Sequence, residues 1–392
     1  MTHATNHGRP VTLEAILGRT SEIAESHVRR NAPLVDQHAA WPEENLRALQ
    51  SAGLGGLVVP VERGGLGQGL YALVRVSELL GRECASTAIT FGMHHVGTAV
   101  IAAKVTPEQQ ARYLDPINAG QHLTTLALSE PGTGAHFYYP ETQLTPTGAG
   151  TYVINGAKTF VTNGGHADSY VASVRSSDES IGDFSCVILP SDTPGMTWGE
   201  PWNGLGMRGN AARALTLDSV RVLDEHLLGS IGDQIWYVLH VVAPYFLMAM
   251  TGTYLGVADG ALREAIRHLK ARQYTHNGRT PAQETVIQSH VASLWEDVER
   301  TRQLTYAAAR LADAGSPSAL PLVLSSKAAV ADTAVRVVND AMTLMGGIVY
   351  RDGSSLERHL RDVRAAHVMT PTTHLLRTWT GRVLLDQPLF GE

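Results

Sequence analysis

The stretch Leu126-Ala127-Leu128-Ser129-Glu130-Pro131-Gly132-Thr133-Gly134 sets two hydroxyls around a Pro-Gly-x-Gly turn, directly after an apolar run. Such a turn can aim hydroxyls and backbone N–H groups at the polar edge of a ligand. A second stretch, Gly204-Leu205-Gly206-Met207-Arg208-Gly209, has the spacing G-x-G-x-x-G. A dinucleotide-binding turn of that spacing joins a strand to a helix. Here the following residues, Ala214 to Val222, alternate like a strand, so the stretch reads as a turn in a β-rich region. Among 17 histidines, His3 and His7 have the H-x-x-x-H spacing that places two ligands on one helix face. They lie in a polar tail without a third ligand. Neither Cys84 nor Cys186 has a histidine or second cysteine at ligand spacing, so no metal site is expected.

The chain that must position these residues has 392 of them, which points to two or three domains. It is 44% hydrophobic and only 17% charged, as expected of much buried surface, subunit interfaces included. A net charge of -6 gives no reason to expect nucleic acid or an anionic membrane as partner. Two cysteines make no disulfide framework, which fits a reducing cytoplasm. The N-terminus is polar and lacks an apolar signal core. Residues 235–258 are nearly all apolar, but His240, Pro244 and two glycines interrupt them. They read as a helix buried in a protein bundle rather than as a membrane span.

Periodicity divides the chain. Residues 11–120 show helical spacing, as in Leu70, Leu73, Val74, Val76, Leu79 and Leu80, with glycine-rich breaks at 53–56 and 64–69. Thr106-Pro107-Glu108-Gln109 has the form of a capping box with proline at the first helical position. From about residue 123 the texture turns to short β-rich runs. Tyr152-Val153-Ile154 and Lys158–Thr162 flank Asn155-Gly156, a hairpin signal. Further strands are expected at Tyr170–Val174, Phe184–Leu189 and Leu215–Val222. Helices return near 234: one to Arg272, one from the capping box Thr280-Pro281-Ala282-Gln283, one carrying Val330, Ala334, Val337, Val338, Ala341, Leu344 and Met345 and stopping at Gly346-Gly347, and one after Pro371. The expected fold is α+β: an N-terminal helical domain (1–122), a middle antiparallel β-domain (123–233) and a C-terminal four-helix bundle (234–392).

Four of these stretches, in this order, resemble the motifs of acyl-CoA dehydrogenases: ALSEPGTG (127–134), NGAKTFVTNGG (155–165), GLGMRGNAARALTLDSVRV (204–222), and Gly346-Gly347 with LERHLRD (356–362). The resemblance implies an FAD held between the β-domain and the helical bundle. Ser129 would meet the pyrimidine side of the ring, with Leu128 and Thr133 also binding the cofactor; Phe160 would stack near the ring, and Thr162 would bond near N5. Hydroxyl donors there stabilise the charge of reduced flavin. Arg272 occupies the place of an arginine that reaches the FAD phosphates of a neighbouring subunit, with Gly346 and Gly347. Thr372 matches a threonine near the adenosine diphosphate part. A homodimer or homotetramer is implied, with an electron-transfer flavoprotein or a flavin reductase as partner.

The chain departs from the pattern where the family's base belongs. A glutamate that removes the α-proton usually follows the arginine–aspartate motif, and its place here is Thr370. The alternative place, on the first helix of the bundle, falls near Phe246, and Leu239–Met250 contain no acid. A threonine hydroxyl is no base near neutral pH. The nearest titratable residues are His367 and Tyr245, and His95 of Phe91-Gly92-Met93-His94-His95 falls where the family lines its substrate tunnel. Ala135 and His136 stand where serine and aspartate are usual, and Thr343 where glutamine is. The leading expectation is oxidation of the Cα–Cβ bond of a small acyl thioester of CoA or a carrier protein. Two alternatives fit the missing base: a reduced-flavin monooxygenase of the same fold, and a flavin-binding homologue without catalysis.

Overall fold

The computed structural model describes residues 11–177, 185–231 and 233–390. His3, His7 and Phe184 lie outside them. The N-terminal helices are α1 (Leu13–Ile23), α2 (Arg29–Gln37), α3 (Glu43–Ser51), α4 (Leu70–Gly81), α5 (Ala85–Ala103), and two short turns, α6 (Pro107–Gln109) and α7 (Asp115–Asn118). The Thr106 capping box forms as its residues predict. Residues Ala85 to Ala102 of α5 are buried on every face, because α5 packs on α4, on the sheet and on the C-terminal helices. Its N-cap is Cys84, whose Sγ accepts from the Thr87 amide at 3.5 Å.

The middle sheet contains β1 (Thr124–Ala127), β2 (Gln143–Gly148), β3 (Thr151–Val161), β4 (Ser169–Ser176), β5 (Ser185–Pro190), β6 (Met196–Trp198), β7 (Arg213–Leu223) and β8 (Leu227–Leu228). The strand order is β6-β7-β3-β2-β4-β5-β8, with β1 beside β4. Most pairings are antiparallel, but β4 pairs in parallel with both β1 and β2. The hairpin expected at Asn155-Gly156 does not form. These residues sit inside the continuous strand β3, and its register against β7 shifts between Ile154 and Gly156. Asn155 Oδ1 instead accepts from the Ser219 amide at 2.8 Å, where Ser219 has φ 53°. The dipeptide marks a bulge paired with a second irregularity, not a chain reversal.

The C-terminal part holds α8 (Gln234–Tyr237), α9 (Ala243–Ala271), α10 (Thr285–Asp313), α11 (Ala319–Met345), α12 (Ser355–Val363), α13 (Ala365–Val368) and α14 (Thr373–Leu384). The long helices α9, α10 and α11 pack on one another, and α14 packs on α11. The Thr280 box does form, but it caps a single 3₁₀ turn, Pro281–Gln283, and α10 starts only at Thr285. The continuous helical stretch Val238–Ala271 is long and apolar enough to cross a bilayer, yet 78% of its most apolar window is buried inside the protein. Gly252, Gly256 and Gly260 recur every fourth residue on α9. A Cβ on them would lie 2.5, 2.2 and 2.5 Å from the carbonyl oxygens of Val74, Glu78 and Arg82. This seam lets α9 lie directly on the backbone of α4 and the residue after it, which joins the two helical parts tightly.

Candidate active site

A cavity of about 340 Å³ opens between the sheet and the C-terminal helices. Leu126, Leu128 and Ser129 reach it from β1 and the turn behind it; Thr159, Phe160 and Thr162 reach it from the end of β3. Trp202, Met207 and Asn210 close one side, and Phe246, Val368, Met369 and Thr370 form the helical wall. Phe160 is non-glycine with φ 54° and 62% exposed, and it meets Trp202 edge to face at 5.5 Å. A large aromatic residue held in the left-handed region and bared to a cavity marks a ligand wall rather than core packing.

The hydroxyl-bearing turn is fixed from beneath. Glu130 and Lys158 form an ion pair at 2.5 Å with side chains 1% and 0% exposed. Lys158 Nζ also donates to Ser173 O at 2.5 Å and Ser173 Oγ at 2.9 Å, and Glu130 accepts from the Glu141 and Thr142 amides. Burial pulls the Lys158 ammonium down, and Glu130 opposes that pull. The Thr159 amide donates to Ser129 O at 2.7 Å. Ser129 and Thr159 are thus tied together, each one residue away from a member of the buried ion pair. Both ionic residues lie inside the stretches quoted from the sequence, but nothing in the spacing showed that they meet.

The two remaining motifs also meet. Asp362 Oδ1 accepts from the Met207 amide at 2.7 Å. A Cβ on Gly206 would lie 2.5 Å from Arg361 C and O, so only glycine admits this approach. Arg361 donates to Asp36 at 2.9 Å and Leu205 O at 3.0 Å. The G-x-G-x-x-G stretch is therefore a turn docked on α12, followed by strand β7, as its context predicts. Burial pushes Asp362 up to about 6 from 3.8. An acid whose folded pKa is raised takes up its proton in the native state first, so stability from this group falls as pH rises from about 4 through 6. At neutral pH the buried charge costs on the order of 3 kcal/mol. Asp362→Asn, which keeps the acceptor, is expected to flatten that part of the curve. Unfolding free energies of both proteins between pH 4 and 7.5 check this; parallel curves would reject it.

Residues 12–121, 125–220 and 247–385 match the family models of the acyl-CoA dehydrogenase N-terminal, middle and C-terminal domains. The cyclohex-1-ene-1-carbonyl-CoA dehydrogenase of Geobacter metallireducens is 31% identical over 388 residues, covering 98% of this chain and 100% of that protein. The chain belongs to the acyl-CoA dehydrogenase family. Among solved structures, butyryl-CoA dehydrogenase from Megasphaera elsdenii is similar at TM-score 0.88 and 26% identity, over 95% of this chain and 98% of that one. A chain in a structure of the electron transferring flavoprotein of Acidaminococcus fermentans is similar at TM-score 0.89 and 27% identity, over 98% and 100%. The protein is thus a flavin-dependent oxidoreductase of the acyl-CoA dehydrogenase type, and its family is one of flavoproteins.

The other site residues of this acyl-CoA dehydrogenase are distributed as follows. Thr133 lies on the Ser129 turn, and its Oγ1 is buried without a partner. Arg272 and Gly347 line a separate open groove with His268, Ala271 and Ile348, and Gly346 ends α11 beside it with φ 73°. Thr372 N-caps α14, accepting from the Leu375 amide at 3.4 Å. Thr370 and Phe246, the two usual glutamate positions, both line the cavity, and no carboxylate lines it among the described residues. None of the three substitute bases reaches the wall. His367 pairs with Asp332 of α11 at 3.1 Å and is not among the lining residues. Tyr245 is not among the lining residues, and burial pushes its phenol up to about 12. His95 faces Phe91 O at 2.9 Å and Leu54 O at 3.0 Å; burial pulls its pKa down to about 4, and the neutral ring donates to one of the two carbonyls. His94 is equally occupied by Gly55 O and the Thr124 amide.

Proposed function

We propose that this protein oxidises the Cα–Cβ bond of a small acyl thioester, carried by CoA or a carrier protein, with FAD as its cofactor. One observation carries the reading: a single cavity joins Ser129, Phe160 and Thr162 from the sheet to Phe246 and Thr370 from the helices. The residues present fit a flavin. Ser129 and Thr162 offer hydroxyls, Leu128 an apolar edge and Phe160 an exposed ring face; Thr133 does not line the cavity, and its buried Oγ1 has no partner among the described residues. Bound FAD supplies a two-electron acceptor. The chain's own part would be to hold the thioester against Phe246 and Thr370 and to donate hydroxyl hydrogen bonds as charge develops; no described lining residue is a base for the α-proton, which would pass to solvent. Arg272, Gly346, Gly347 and Thr372 are assigned to the diphosphate part, with Arg272 serving a neighbouring copy in a homodimer or homotetramer. Electrons pass to an electron-transfer flavoprotein, and the buried free thiols suit the cytoplasm.

The lack of a carboxylate in the cavity wall among the described residues favours a second reading, a monooxygenase fed by a flavin reductase, because that chemistry needs no carboxylate base. Anaerobic titration of the flavin-loaded protein with short-chain, branched and cyclic acyl-CoA thioesters separates the two. Bleaching of the oxidised flavin band is the expected result. If no thioester bleaches it, and reduced flavin with O₂ puts oxygen into a product, the second reading stands. FAD binding with neither outcome would mark a non-catalytic homologue. Thr162→Val should weaken FAD retention about tenfold, the effect of one lost hydrogen bond near 1.4 kcal/mol; unchanged retention and unchanged reduction rate would remove Thr162 from the site.

A further inference from the structure

We propose that the groove between α2, α9 and α12 binds a phosphoryl group. This groove of about 340 Å³ shares no lining residue with the cavity described above. Arg29, Arg82, Arg263, Arg267, Arg358 and His359 line it, against two carboxylates, Glu83 and Glu264. Internal pairing accounts for part of this charge. Arg29 takes Glu83 in a two-pronged pair at 2.8 and 2.8 Å. Arg82 and Arg263 converge on Asp259 at 2.5 and 2.6 Å. Glu264 accepts the Ser355 hydroxyl at 2.6 Å.

Three groups are left. Arg267 is exposed and pairs with no carboxylate among the described residues. Arg358 is 8% exposed; among the described residues its Nη2 donates to the Glu83 carbonyl at 3.3 Å, its Nε is buried with no hydrogen-bond partner, and Asp362, one turn along α12, feels its charge without a direct bond. His359 is 1% exposed, and both of its ring nitrogens are without a partner. A buried guanidinium with no hydrogen-bonded carboxylate is costly, and buried polar atoms normally have partners. An anion in the groove would satisfy all three.

The donor set selects the kind of anion. A guanidinium fork matches two oxygens of one tetrahedral group. Burial and the neighbouring Arg358 keep His359 neutral, so its ring offers one N–H and one lone pair. A phosphoryl group answers both, with an oxygen to accept and, when singly protonated, a P–OH to donate; a carboxylate answers only the first. The first turn of α12, with Ser355 on the groove wall, adds a favourable dipole. The groove has room beyond one phosphate, so the phosphoryl group can be free or belong to a nucleotide.

Isothermal titration of the flavin-loaded protein in a phosphate-free, low-salt buffer tests this with two probes, inorganic phosphate and ADP. Saturable binding of at least one is expected, and the tighter probe identifies the source. Arg267→Ala removes only an exposed, unpaired charge and should weaken binding about tenfold, the loss of one charge-assisted contact. His359→Leu replaces an unpartnered ring with an apolar side chain, so its melting temperature should hold or rise while the ligand-induced shift disappears. No saturable binding of either probe would overturn the proposal. So would binding that is unchanged in both variants, since it would place the anion elsewhere.

Discussion

Lys158→Met is expected to destabilise the protein by about 3–5 kcal/mol, because it strands the Glu130 carboxylate in a dry interior. The partner oxygens of Ser173 lose their donor in the same step. The loss would also spread to the cavity. Glu130 follows Ser129 directly, Lys158 precedes Thr159, and the Thr159–Ser129 hydrogen bond lies between them. Urea unfolding should show the drop in midpoint, and flavin retention should fall with it. The double change Glu130→Leu with Lys158→Met should recover part of the stability, since paired apolar residues leave no stranded charge. A single variant within 1 kcal/mol of the parent would mean that water reaches the pair.

Lys327→Met should act on the opposite wall with comparable force. Lys327 is fully buried on α11, and its Nζ donates to the carbonyls of Ala366, Met369 and Pro371 at 2.7, 3.0 and 2.8 Å. Burial pulls the ammonium down to about 7. Three acceptors around one nitrogen nonetheless require all three N–H groups of the charged form. Methionine fills the space but leaves three carbonyls unserved, at roughly 1–3 kcal/mol for each that stays dry. Thr370 sits between two of those carbonyls, so the segment forming the cavity wall would loosen. Thermal unfolding should report a loss of several kcal/mol, and hydrogen exchange at 366–372 should quicken. Unchanged exchange there would show that the segment holds itself.

Much of this molecule can be read from one dimension because its strongest signals are local. The stripe from Val330 to Met345, the Thr106 box and the stop at Gly346 each depend on neighbours within a few residues, and each forms. The failures have a common cause, which is that a distant partner decided them. Asn155-Gly156 carries a turn signal, but β7 lies alongside with its own irregularity at Ser219 and absorbs the pair as a bulge. The Thr280 box caps one turn and then yields to Thr285. For the cavity, Ser129, Phe160, Thr162, Phe246 and Thr370 came from recognisable stretches and are brought together. Trp202 joins them without any periodic or motif signal, since loop conformation puts it there, while Met93 from α5 and Asn210 from the 204–222 stretch lie in quoted segments whose spacing did not single them out. The absence of an acid at Thr370 and Phe246 was equally legible, because a missing residue type needs no geometry.

Cys84 and Cys186 give the molecule an internal gauge. The first caps the central helix α5 and the second sits within β5; both are free and buried, and burial raises both thiols, Cys186 up to about 12. Neither sulfur can react from the closed state, since only an exposed thiolate is a nucleophile. Each becomes modifiable when its own surroundings part, so the pace of labelling at one reports opening of the helical layer and at the other opening of the strands. A ligand that tightens both layers would slow both clocks together, whereas one confined to one side would slow only one.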